Sequence, residues 1–369
     1  MNIKSLLLGS AAALAAVSGA QAADAIVAAE PEPMEYVRVC DAFGAGYFYI
    51  PGTETCLKVG GYLRVQLDIS DDVVTNDEDE AGYKTNARGY LIVNAKSDTE
   101  YGVLNSEIDM QMDSQGGFFL DGAFIQLGGL TIGRFYNYWD AGLSGETDIN
   151  DSGASWAPGA FTLNDAIMYT YDGGTFNVSG TVENFEPQGA TYVGTNPIHA
   201  PWKNFGDVGL SAKVGFTFGG ISANLIGSYD TWVEEGAIRA LATADIGPGT
   251  FGIFGVWSSD PSRYWNASEW SVAAEYKAKI NDKFSITPGV QWFDKIDIDY
   301  TNGSFQNGGH YAGDGDAWRA GVTVDYAITA GLTSKLSVQY QDEDHDEDVV
   351  GGGLDDKTWS GFLRLQRDF

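Results

Sequence analysis

A period of two runs through most of this chain. The row Lys58, Gly60, Tyr62, Arg64, Gln66 and Asp68 alternates with the row Val59, Gly61, Leu63, Val65, Leu67 and Ile69. Successive side chains of a strand point to opposite faces, so this stretch has one polar face and one apolar face. The pattern recurs at residues 86–96, 105–113, 176–183, 208–216, 270–280, 318–326, 336–341 and 359–369, whereas helical periodicity is nearly absent. A tilted strand of about ten residues is long enough to cross hydrocarbon.

A soluble sandwich also alternates, but its strands average about five or six residues. Here the strands are longer, and the apolar row often ends in an aromatic: Phe176, Trp257, Trp270, Trp292, Trp318, Tyr340, Trp359 or Phe369. Such ends suit the girdle of a membrane barrel. Tight turns fall at 97–100, 128–129, 172–174, 219–220, 247–249, 281–283 and 329–331. Longer polar stretches lie between them, at 70–83, 114–117, 137–163, 186–206, 231–236, 258–267, 295–315 and 342–357. Seven turns and eight loops join sixteen strands. The expected fold is all-β: a transmembrane antiparallel β-barrel of sixteen strands with short periplasmic turns and long extracellular loops. Closure leaves no unpaired edge in lipid.

The first residues read as an export leader. Lys4 precedes an apolar run from Leu6 to Val17, and Ala20-Gln-Ala22 forms a cleavage site. The expected division is a signal peptide at 1–22, a periplasmic lead-in with Cys40 at 23–55, and the barrel at 56–369. Twenty-one Lys and Arg against 51 Asp and Glu argue against nucleic acid as a partner. Aromatic residues make up 13% of the chain, which argues against wholesale disorder.

The segment from Val37 to Arg64, with Val37-Arg-Val-Cys40 at its start and Thr55-Cys-Leu-Lys-Val-Gly-Gly-Tyr-Leu-Arg64 at its end, resembles the opening of the alphaproteobacterial general porins of brucellae and rhizobia. The leader, Gly133-Arg134 before a long third loop, and the terminal Gly361-Phe-Leu-Arg-Leu-Gln-Arg-Asp-Phe369 resemble that family too. The resemblance implies a homotrimer of outer-membrane barrels, each with a pore narrowed by loop 3. It also implies passive diffusion of small hydrophilic solutes. A substrate-specific channel for sugars or anions is the alternative, with an outer-membrane barrel enzyme behind it.

Loop 3 carries Asp140, Glu146, Asp148 and Asp151 and no basic residue. Folded into the lumen, it would set these carboxylates against basic wall residues; the alternative is a solvated external loop. The expected basic side is Arg64, Arg88 and Arg364, with Arg134 at a strand end. Opposed charges across a gap orient and filter solutes. Arg134 shares parity with Leu130 and Ile132, so its inward aim requires a bulge at Gly133. Cys40 and Cys56 enclose a Gly-rich turn; a disulfide is expected, the other state being two free buried thiols. Phe369 is the expected signal for the barrel-assembly machinery, by the same resemblance. The stretches 71–80 and 342–348 are dense in carboxylates. They suit divalent cations bridging to lipopolysaccharide, or merely solvated, self-repelling loops. No other cofactor, no resident metal site and no catalytic residue is expected. His199, His310 and His345 all fall in loops, and no H-E-x-x-H occurs.

Overall fold

The inner and outer rows of most strands have opposite chemistry, and the chain closes around the polar one. The computed structural model describes residues 38–75, 78–143, 161–185, 208–299, 309–349 and 356–369. The expected leader therefore lies outside the described residues. The barrel strands are β1 (Cys56–Thr75), β2 (Glu78–Thr99), β3 (Gly102–Asp113), β4 (Gly117–Leu127), β5 (Leu130–Tyr136) and β6 (Leu163–Asp172). They continue as β7 (Phe176–Asn184), β8 (Val208–Phe218), β9 (Ile221–Asp230), β10 (Glu235–Ile246) and β11 (Gly249–Ser258). The last five are β12 (Trp270–Lys279), β13 (Phe284–Asp294), β14 (Asp316–Thr329), β15 (Leu332–Asp344) and β16 (Asp356–Asp368). Every strand pairs antiparallel with its sequence neighbours, and β16 pairs with β1 through Arg364↔Gln66 and Leu365↔Val65, so the sixteen-stranded sheet closes.

Leu63, Val65, Ile125, Ile167, Val182, Leu225 and Leu363 stand exposed on the outer face. Gln66, Asn94, Gln111, Thr181, Ser211, Gln291 and Thr323 are buried on the inner one. A soluble fold inverts this arrangement, because water would meet the apolar row.

Two expectations about loops change. Residues 70–75 continue β1 and residues 78–83 begin β2, paired through Val73↔Glu80 and Val74↔Asp79. Residues 71–75 and 78–80 of the acidic stretch are therefore paired strand ends rather than an irregular loop, because cross-strand pairing persists where the hydrophobic alternation stops. Asp342 and Asp344, also expected in a loop, end β15.

At the turn end, β1 overhangs its neighbour. Its pairing with β16 stops at Tyr62↔Asp368, and Gly61 and Phe369 exchange backbone hydrogen bonds of 3.0 and 3.1 Å. Phe48–Tyr49 forms a short strand on the remaining edge, opposite Leu57 and Cys56. The Cys40–Cys56 disulfide, with Cα atoms 6.0 Å apart, staples it there. Tyr47 donates to Asn94 Oδ1 at 2.5 Å, with Lys58 and Lys96 over its ring. Gly61 is required at this seam: its φ is 151°, and a Cβ would lie 2.0 Å from the Tyr90 carbonyl oxygen.

At the other end, side chains tie three connections together. His310 Nδ1 lies 2.7 Å from Asp260 Oδ2, joining the connections before β12 and before β14. His345, after β15, lies 2.7 Å from Asp297 Oδ1 and 3.2 Å from Glu343 Oε2, and the Asp346 amide donates to Asp297 Oδ2 at 2.7 Å.

Candidate functional site

Three arginines on adjacent strands form a basic patch on the inner wall. Arg64 faces Arg88 across the β1–β2 pair and Gln366 across the β16–β1 pair. Its Nε donates to Gln366 Oε1 at 2.7 Å, and its guanidinium lies 4.6 Å from the Tyr62 ring centroid. Tyr62 stacks on Tyr90 at 4.9 Å and 3°. Tyr90 donates to Asp121 at 2.8 Å, and Tyr136 donates to the same carboxylate at 2.6 Å. Arg88 is paired with Asp113 at 2.8 Å, while Arg364 donates to Gln66 at 2.6 Å. Ring stacking and hydrogen bonds hold these long side chains in single orientations, so the positive charge is fixed in place.

The start of the long third connection lies against the far wall. Tyr138, Trp139 and Leu143 are buried in one apolar cluster with Ile226, Ala237, Leu241, Phe254 and Val256 from β9, β10 and β11. The hydroxyl of Thr181 on β7 donates to the Tyr138 hydroxyl at 2.8 Å, and the Trp139 indole donates to Ser228 on β9 at 2.8 Å. Arg239 on β10, only 4% exposed, donates to the carbonyls of Trp139 at 3.1 Å and Tyr138 at 2.7 Å. Its guanidinium also lies 5.4 Å from the Trp139 ring centroid. Asn137 donates to Glu183 at 2.8 Å, and Asn164, Ser211 and Tyr264 donate to the same carboxylate. In a ring of sixteen, β9 and β10 stand eight strands from β1 and β2. The root of the connection and the arginine patch thus lie on opposite sides of the lumen.

Of the expected acidic residues, Asp140 lies within this root and is half-buried. Glu146, Asp148 and Asp151 lie outside the described residues. Arg64, Arg88 and Arg364 lie together on adjacent strands, whereas Arg134 does not join them. No register shift accompanies Gly133, which pairs in line with Phe124 and Ala166. Gly133 has φ 138°, and a Cβ there would lie 2.2 Å from the Ala123 carbonyl oxygen, so the glycine serves close approach of β4 and β5. Arg134 stays on the outer row with Ile132 and meets Asp165 at 3.6 Å.

Sequence reasoning missed Arg239 and Arg319. Arg319 on β14 donates to Gln341 from the inner wall, and its row (Ala317, Arg319, Gly321, Thr323) carries the alternation that finds it. Arg239 has no such signal, since Ala237 and Leu241 make its own row apolar.

The porin subfamily model matches residues 24–368. "Outer membrane protein IIIA" of Rhizobium leguminosarum bv. viciae is 44% identical over 362 residues, covering 95% of this chain and 93% of that protein. "Porin Omp2b" of Brucella canis is 35% identical over 405 aligned positions that cover both chains fully (100% each). Among solved structures, the outer membrane channel DcaP of Acinetobacter baumannii matches 87% of this chain and 99% of its own, at a TM-score of 0.61 and 13% identity. The trimer form of OmpT from Vibrio cholerae matches 86% of this chain and 100% of its own, at a TM-score of 0.61 and 10% identity. At such identities these two likenesses speak for the fold alone. With the two curated relatives and the nearly full-length family match, they accompany a closed sixteen-stranded barrel, and the chain belongs to the porin subfamily.

Proposed function

We propose that the chain forms a water-filled pore in the outer membrane through which small hydrophilic solutes and ions diffuse passively. Each protomer of a homotrimer carries its own pore, and the connection between β5 and β6 narrows it. One observation carries this reading. Arg239 and Ser228 hold the root of that connection against the inner wall, eight strands away from Arg64 and Arg88. Asp140, Glu146, Asp148 and Asp151 are the carboxylates this reading sets against the arginine patch. Opposite fixed charges orient dipolar solutes and favour none of them strongly, as suits a general pore. The trimeric neighbour supports the assembly. Residues 1–22 serve as a cleaved leader, lipopolysaccharide surrounds the loop end, and the barrel-assembly machinery reads Phe369.

Single-channel recording in planar bilayers with added solutes tests the reading. Ohmic current that sugars and carboxylates reduce only in proportion to their bulk is expected. Saturable block by one solute class would replace this reading with a substrate-specific channel.

A further inference from the structure

The polar stretch joining β11 to β12 folds inward instead of standing at the loop surface. Of residues 259–269 only Ser259 is exposed, and Tyr264 and Trp265 are 1% and 2% exposed. Along the wall, β8, β9 and β10 separate β11 from β7. The Tyr264 hydroxyl nevertheless donates to Glu183 on β7 at 3.0 Å, where Ser211 on the inner row of β8 donates to the same oxygen. Tyr264 therefore crosses the inner side of those strands. Gly209 on β8 makes room for it: a Cβ there would lie 2.1 Å from the Tyr264 hydroxyl oxygen and 2.3 Å from the Phe185 ring. No positive φ requires glycine at this position, so space is what it supplies.

Both ends of the segment are tied to the connection before β14. Asp260 accepts from the Tyr311 amide at 2.8 Å and pairs with His310, and Glu269 pairs with Lys295. Between them Arg263 grips Asp230, the last residue of β9, through its Nε at 2.8 Å and its amide at 3.1 Å. These ties set Tyr264 and Trp265 against Trp139, with ring centroids 6.2 and 6.3 Å apart. The Glu183 carboxylate accepts from Tyr264 on one oxygen and from Asn137, at the start of the third connection, on the other. The root of that connection is thus held twice: by the wall at Arg239 and Ser228, and by the β11–β12 segment at Trp139 and Glu183.

We infer that the β11–β12 connection is a clamp on the third connection, with Tyr264 as the positioning residue that fixes the root through Trp139 and Glu183 and so sets the width of the pore. The inference rests on the narrowing proposed above and adds the element that holds it. Tyrosine suits the task. Its ring fills the slot beside Gly209, and its hydroxyl gives the buried carboxylate a charge-assisted hydrogen bond.

The test compares single-channel conductance in planar bilayers for folded wild type, Arg239→Met, Tyr264→Ala and the double variant, with limited proteolysis of the third connection in parallel. Tyr264→Ala is expected to raise conductance and speed that cleavage, as Arg239→Met does. The double variant is expected to gain less than the sum of the single gains, because both residues act on one root. Tyr264→Phe keeps the ring and should stay nearer wild type. Should Tyr264→Ala fail to fold, Gly209→Ala, which intrudes on the slot with one methyl group, takes its place with the same expectations. Wild-type conductance and cleavage in Tyr264→Ala, beside a widened Arg239→Met, overturns the clamp. Fully additive gains with cleavage of the third connection unchanged by Tyr264→Ala overturn the positioning role, since the segment then narrows the pore by itself. Wild-type conductance and cleavage in Arg239→Met overturns the narrowing proposed above, and the inference with it.

Discussion

Replacing Arg239 by methionine should loosen the root of the third connection and widen the pore. The guanidinium makes two hydrogen bonds, to the Tyr138 and Trp139 carbonyls, at 2.7 and 3.1 Å. Bonds from a charged donor contribute about 1.5–3 kcal/mol each, so the gross loss is about 3–6 kcal/mol. Burial of the cation offsets part of this, because removing a buried charge returns its desolvation cost. Methionine also fills much of the space beside Trp139. A net loss of about 2 kcal/mol is a reasonable middle value, and it multiplies the released population roughly thirtyfold. Arg239→Lys, with a single ammonium, reaches one carbonyl and should fall between. The assay is single-channel conductance and current noise in bilayers, with limited proteolysis of the third connection alongside. Arg239→Met should give larger, noisier openings and faster cleavage, while the folded barrel persists. Unchanged conductance, noise and cleavage would refute the anchoring role.

The Cys40→Ser, Cys56→Ser pair removes the staple on Phe48–Tyr49, a closed loop worth about 3 kcal/mol in the chain-entropy model. Proteolysis of the lead-in should then accelerate with conductance unchanged, and thiol labelling of the denatured, unreduced wild type should find no free cysteine. His345 is partly buried, which opposes its charge, but hydrogen bonds to Asp297 and Glu343 outweigh this and raise its pKa. Its clasp is therefore fully present at acidic pH and lost as pH rises through the raised value. Cleavage of the connection after β15 should quicken on going from acidic to alkaline pH, and His345→Gln should abolish that dependence. Deleting Phe369 removes the backbone pair with Gly61. Surface labelling should then show poor outer-membrane insertion with export to the periplasm unchanged.

The barrel was legible because lipid outside and water inside enforce a strict period of two. The reading weakens where something other than water covers the inner face. On β10 the inner row includes Ala237 and Leu241, and on β11 it includes Phe254 and Val256, all buried under Tyr138, Trp139 and Leu143. Both rows of these strands are apolar, so turn positions rather than alternation located them, and Arg239 stayed hidden among alanines and leucines. Arg134 shows the converse. Its parity points outward, and an inward aim would require a bulge at Gly133. The backbone keeps its register, and the parity was correct. Strand ends are hard for a third reason: the acidic residues 71–75 and 78–80 have no apolar row, so nothing in their pattern signals a strand.

The carboxylates fall into two populations with different reach. Several on the wall are matched: Asp113 by Arg88, Asn86 and Gln111, Glu183 by four donors, and Asp230 by Arg263. A chain with 51 acids and 21 Lys and Arg therefore carries much of its excess negative charge on the connections at the loop end. Mouth charges act on permeating ions through solution, so they are felt only within a screening length, about 30 Å at 0.01 M salt and about 3 Å at 1 M. Charges at the narrowing act at contact range and survive salt. The zero-current potential under a KCl gradient should accordingly show a weak cation preference that fades as both solutions are concentrated. Changing Asp140, Glu146, Asp148 and Asp151 together to their amides leaves the mouth intact but takes the opposing charge from Arg64 and Arg88. The variant should then move toward anions, and the difference from wild type should persist at high salt. A difference that vanishes with salt would place these four acids at the mouth. A variant with the wild-type potential throughout would remove them from the ion path altogether.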